Sequence, residues 1–153
     1  METHDKPLGA RAGETCTSPF GSCLYFTANA VARELTRLAE EAFAPLGLCP
    51  SAALLLVETA RDPGLLPSVA AQRLHLAPSS VTRFADGLVR RGLITRESRG
   101  RTVRLTATEP GLELLPRIGA CQTELAARLE ASVGQDEAGK LAQGLALAAR
   151  RLG

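Results

Sequence analysis

The stretch SVAAQRLHLAPSSVTRFADGLVRRGLITRE (68–97) decides the fold. Val69, Ala70 and Leu74 fall on one side of a short helix over about 66–74, with Ser68 as its expected cap. Leu76-Ala77-Pro78-Ser79-Ser80 then turns the chain into a second helix. Pro78 suits a first helical turn, where its missing N–H costs little. This helix is expected from Pro78 to Arg91, burying Val81, Phe84 or Ala85, and Leu88, and Gly92 ends it. LITRE (93–97) and RTVRLTA (101–107) read as two short strands joined through Ser98-Arg99-Gly100. Short helix, turn, helix and hairpin make a winged helix-turn-helix. The second helix of such a pair enters the DNA major groove and reads base edges with its first turns.

Working outward, a helix is expected from Pro50 to about Arg61, ended by Asp62-Pro63-Gly64. Leu54, Leu55, Leu56 and Val57 make it apolar all round, so it should lie deep in the core. Leu24, Ala28, Val31, Leu35, Leu38 and Ala42 form one stripe of a helix over about 22–44. Two further amphipathic helices are expected over 109–133 and 135–152. The fold class is therefore mostly α with a small β-wing. The DNA-binding lobe spans about 48–107. The helices 22–44 and 109–152 flank it with apolar stripes that the lobe alone does not need. An intertwined homodimer through these N- and C-terminal helices would bury them and set two reading helices one DNA turn apart, roughly 34 Å. Residues 1–21, with Pro7, Gly9, Gly13, Pro19 and Gly21, read as a flexible arm ahead of a single domain over 22–153.

The composition agrees with this reading. With 153 residues, 45% hydrophobic and 22% charged, the chain suits one globular domain. No transmembrane run and no signal peptide are expected, which points to the cytoplasm. The net charge is only +2, yet residues 83–104 hold seven Arg against Asp86 and Glu97, a local excess of +5. Such a patch suggests an anionic partner, with double-stranded DNA the first candidate and a solvated surface the alternative. On the reading helix Ser79, Ser80, Thr82 and Arg83 are the candidate contacts, small donors plus one Arg able to reach guanine or phosphate. On the wing the candidates are Arg96, Arg99 and Arg101.

Taken together, PLGLCPSAALLLVETA (45–60), 68–97 and RTVRLTATEPG (101–111) resemble the MarR family of transcriptional regulators, over about residues 22–152. The reading helix ends in the family's Leu-x-x-x-Gly-Leu pattern, Leu88 to Leu93, and a Thr-Glu-x-Gly segment, Thr108 to Gly111, opens the helix after the wing. The resemblance implies a triangular homodimer with two winged-helix lobes on a palindromic operator, most often as a repressor. It places Arg101 at the wing arginine near the minor groove and Asp86 where a helix acid can pair with it. This wing is a few residues shorter than the family's and lacks the acid before its arginine.

Cys16, Cys23, Cys49 and Cys121 form no CxxC pair and no metal spacing with His4 or His75, so neither metal nor cofactor is expected. Cys121 falls on an apolar stripe and reads as a packing thiol; Cys49 reads as a passive replacement of a threonine. Cys23 is expected in a helix's first turn, where the dipole favours thiolate. The resemblance adds that a hydroperoxide-sensing branch of the family keeps its reactive cysteine near this point. Some members pair it with a second one after the wing, where Cys121 falls. Release from DNA by oxidation of Cys23, with Cys121 as partner, is thus one expected signal. A small anionic or aromatic ligand between the dimer helices and the lobes is the other. No Ser-His-Asp or Cys-His constellation and no phosphate loop is present, so the chain is not expected to be an enzyme. A thiol peroxidase and a winged helix that binds protein are the remote alternatives.

Overall fold

Four helices open on a proline in their first turn, and glycines with positive φ stand at the main breaks between elements. A computed structural model describes residues 19–152 of the chain. Cys16, His4 and most of the expected arm lie outside the described residues. The chain divides into two compact units, Met1–Leu35 and Thr36–Gly153, and the division falls within the first helix.

In the first unit, a turn over 19–22 leads into α1 (Leu24–Phe43). Cys23 stands just ahead of the helix, not inside it, and its carbonyl accepts the Thr27 N–H and hydroxyl, both at 3.0 Å. The rings of Phe20 and Phe26 lie 5.9 Å apart. Leu24, Tyr25, Phe26 and Val31 are exposed.

In the second unit, the end of α1 buries Ala42 and Phe43. A 3-10 turn (Ala44–Leu46) and the left-handed Gly47, at φ +60°, redirect the chain into α2 (Pro50–Arg61). There follow α3 (Pro67–Arg73), α4 (Pro78–Arg90), an antiparallel hairpin of β1 (Ile94–Arg99) and β2 (Thr102–Ala107), then α5 (Glu109–Val133) and α6 (Gln135–Leu152). The cap expected of Ser68 is not made: α3 starts on Pro67, with Leu66 at the cap position and no side-chain bond. Proline's preset φ supplies the start instead. Leu55 and Leu56 of α2 are fully buried, but Leu54 is 38% exposed, so the helix is sunk on one side only.

The core gathers Leu55 and Leu56 of α2, Val81, Ala85 and Leu88 of α4, Ile94 and Leu105 of the hairpin, and Ile118 of α5. Ala85, not Phe84, takes the buried place on α4. Thr59, the one buried polar residue among those described, donates its hydroxyl to the Leu56 carbonyl at 2.8 Å. After the hairpin, the Thr108 hydroxyl donates to the Gly92 carbonyl and accepts the Gly111 N–H, capping α5 against the end of α4. A Cβ built on Gly111 would stand 2.1 Å from the Leu93 carbonyl oxygen, so only glycine fits this crossing. α6 buries no residue, and its Leu141, Leu145, Leu147 and Leu152 are exposed. No single described helix is long and apolar enough to cross a membrane.

Candidate nucleic-acid interface

At 100° per residue, the buried trio of α4 fixes what its other faces present. Opposite Val81, Ala85 and Leu88 stand Ser79, Thr82, Arg83 and Arg90, all exposed, while Ser80 and Asp86 are half-buried. Thr82 donates its hydroxyl to the Pro78 carbonyl at 3.1 Å. It thus turns lone pairs and a methyl outward, fit for a base-edge donor or a thymine methyl. The Arg83 guanidinium carbon lies 5.0 Å from the centre of the Phe84 ring, a cation–π contact that limits the side chain's freedom.

The wing rises on one flank of this helix. Its strands pair from Ile94 with Ala107 to Arg99 with Thr102, leaving Gly100-Arg101 as a two-residue turn with Gly100 at φ +62°. The chain between α2 and α3 clasps its root. Leu65 and Leu105 form an isolated bridge, with Leu105 N–H to Leu65 carbonyl at 2.9 Å and Gly64 N–H to Leu105 carbonyl at 3.0 Å.

Asp86 pairs with Arg96 at 2.7 Å, and not with Arg101. Strand parity gives the reason. Ile94 points into the core, so Arg96, two residues on, leans the same way and meets α4, while Arg101 sits at the turn. Arg96 thereby braces the wing against the reading helix.

The arginine patch therefore has two populations. Arg91 donates to the carbonyls of Gly47 at 2.6 Å and Leu46 at 3.0 Å, and Arg104 donates to that of Gly64 at 3.3 Å. With Arg96 these are internal ties, and for Arg91 and Arg104 nothing in the sequence separates them from the rest. Arg83, Arg90 and Arg101 carry no hydrogen bond or ion pair among the described residues. The expectation for the Arg99 side chain lies outside the described residues. Arg90 was missed in the sequence, though its place seven residues after Arg83 puts both on one helical face.

The cysteines are dispersed in environment. Cys23 and Cys49 are exposed and Cys121 is buried. Among the described residues no three His, Cys, Asp or Glu are grouped to hold a metal ion. His75 is exposed, with the left-handed φ of +51° in the turn between α3 and α4.

A sequence model described as MarR family matches residues 46–104, the span of α2, α3, α4 and nearly all the hairpin. Over that span the chain is similar to the MarR family. Among solved structures, the transcriptional repressor CouR bound to p-coumaroyl-CoA is 23% identical. The match covers 90% of this chain and 99% of that one at a TM-score of 0.77. CouR, a protein of Rhodococcus jostii RHA1, bound to a 23-mer DNA duplex is also 23% identical, covering 85% and 94% at 0.76. A MarR-family regulator of Rhodococcus sp. RHA1 is 22% identical, covering 84% and 94% at 0.73. At such identities the likeness is one of fold. No curated protein matches the sequence.

Proposed function

We propose that this chain is a MarR-family regulator of transcription, a cytoplasmic, homodimeric repressor whose α4 reads the major groove of a palindromic operator while the wing reaches the flanking backbone. The observation that carries the reading is the division of α4. One face is sealed in the core by Val81, Ala85 and Leu88, and the opposite face offers Ser79, Thr82, Arg83 and Arg90 to solvent. The exposed leucines of α6 and the exposed Leu24, Phe26 and Val31 of α1 support a dimer that covers them. CouR's description as a repressor, and its complex with a DNA duplex, support the mode of action.

For the signal, a cleft of about 290 Å³ between α2 and α5 favours a small ligand. Val57, Leu112, Leu115 and Ile118 give it an apolar lining, with Arg61 and Gln122 at hand for a polar group. CouR, of the same fold, holds p-coumaroyl-CoA, a ligand with an aromatic acyl group and anionic phosphates. An occupant of this cleft changes the operator affinity only if it binds one arrangement of the lobes better than another. Oxidation is the second reading, and the exposure of Cys23, three residues in sequence from each of Phe20 and Phe26, supports it. Cys121 is buried and would need local opening to join it.

The test is fluorescence anisotropy on duplex DNA from upstream of the chain's own gene, reduced, after organic peroxide, and with aromatic carboxylates. Tight binding lost with a carboxylate and kept after peroxide supports the ligand reading. Loss on oxidation in the wild type but not in Cys23→Ser supports the redox reading. Absence of specific binding in every state removes the operator-reading proposal.

A further inference from the structure

Among α2, α3 and α4, Gly87 is the only glycine. A glycine inside a helix weakens it, because the chain gives up more freedom on folding and leaves its backbone bare. Gly111 in α5 has a reason in packing, since a Cβ there would strike the Leu93 carbonyl. Gly87 has none of that kind. A Cβ at 87 would meet only the end of Arg90, at 3.8 Å, an ordinary contact. The packing of α4 therefore does not ask for glycine here.

Its place on the helix supplies another reason. At 100° and 1.5 Å per residue, Gly87 lies about 40° round the axis from Arg83 and about 6 Å further along. Arg90 lies about 60° from it the other way round and about 4.5 Å beyond. Gly87 is thus a bare patch between two arginines that carry no hydrogen bond or ion pair among the described residues. The other flank of α4 is closed by the pair of Asp86 with Arg96. The Gly87 flank instead opens into a hollow of about 280 Å³ against the Gly47–Cys49 corner, and no acidic residue lines it. Arg91, at the edge of the hollow, is already held by the corner carbonyls.

We propose that Gly87 is the point where one strand of the duplex lies against α4, and that this contact sets how deep the helix sits in the groove. A backbone phosphate rests on the bare helix at Gly87, and its oxygens accept the N–H groups of Arg90. The inference rests on the operator reading above. An α-helix with its side chains is about 10–12 Å across and the major groove about 12 Å wide, so little slack remains where the helix passes the groove wall. A side chain at 87 would hold the helix off that wall. Glycine is the residue that lets a backbone approach a ligand closely. Ser79, Thr82 and Arg83, nearer the start of α4, then keep their reach to the base edges. Gly87 is a positioning residue, and Arg90 is the charge it brings to the phosphate.

The test measures anisotropy of full-length protein on the duplex from upstream of its own gene, across a salt series, beside urea denaturation. Gly87→Ala is expected to raise the urea midpoint, as helix propensity gives, and yet to weaken operator binding severalfold. Gly87→Leu keeps every charge. It should weaken binding about tenfold and shallow the slope of log K against log salt by about 0.9, the loss of one phosphate. Arg90→Ala should shallow the slope by the same amount, and the double variant of Gly87→Leu with Arg90→Ala no further. Operators made neutral at one phosphate at a time, as methylphosphonates, locate the contact. One position in each half-site should cost the wild type severalfold and cost Gly87→Leu nothing. Wild-type affinity and slope in both Gly87 variants overturn the inference, as does a methylphosphonate scan that is the same in wild type and Gly87→Leu. A wild type that binds no duplex specifically removes the operator reading and this inference with it.

Discussion

Asp86 of the reading helix and Arg96 of the first wing strand meet at 2.7 Å, so helix and wing are held to each other by a pair that also faces solvent. An ion pair this exposed contributes only about 0.2–1 kcal/mol to stability. Its weight should therefore fall on DNA binding, through the angle of the wing. We expect Asp86→Asn and Arg96→Gln each to weaken operator binding with little change in thermal midpoint, and the double variant to be no worse than either. An Arg96→Gln variant that alone shallows the slope of log K against log salt by about 0.9 would instead make Arg96 a phosphate contact.

Arg83 presents a partly ordered guanidinium at the exposed face of α4. Arg83→Ala should cost specific binding about 1–3 kcal/mol and relax preference at one base position. Equal losses on operator and random duplex would reassign it to the backbone.

Arg91 should behave in the opposite way. It satisfies two corner carbonyls, so Arg91→Gln is expected to lower stability by about 1 kcal/mol. The salt slope of DNA binding should stay as it is. A shallower slope with unchanged urea midpoint contradicts that assignment.

Gly111→Ala should destabilise by about 1–3 kcal/mol, because the added Cβ meets the Leu93 carbonyl and not a yielding side chain. Chemical denaturation checks it; a stabilised variant, as helix propensity alone would give, shows that the crossing relaxes freely.

His75 holds a left-handed φ with a full side chain. His75→Gly relieves that strain at the cost of greater freedom in the unfolded chain, and a net gain of about 0.5 kcal/mol is expected. A loss of stability would mean that the imidazole makes a contact worth more than the strain.

Much of the architecture was legible because its punctuation is chemical. Pro50, Pro67, Pro78 and Pro110 stand where helices begin, and Gly92 and Gly134 where they end. Apolar spacing then told the buried face of α4 from the presented one. Arginine roles were not legible, because the residue type is the same at each position. Only the parity of Ile94 and Arg96 on one strand carried a hint that Arg96 turns inward toward Asp86. The ties of Arg91 and Arg104 reach carbonyls 44 and 40 residues away in sequence, and no local pattern records such a meeting. The clasp of Leu65 on Leu105 escaped for the same reason: a single bridge has no periodicity to read.

That clasp grips the wing at its root, while Gly100-Arg101 at the far end meets no other element in a hydrogen bond or ion pair among the described residues. Wing length is thus separable from the core. Two residues added to each strand keep the inward parity of Ile94 and Arg96 and move the tip outward by about 7 Å. Along a duplex that is about two base pairs. One residue added to each would turn every side chain beyond it to the wrong face. The wing can lengthen its footprint on DNA in even steps, each leaving the hydrophobic centre and the reading helix as they stand.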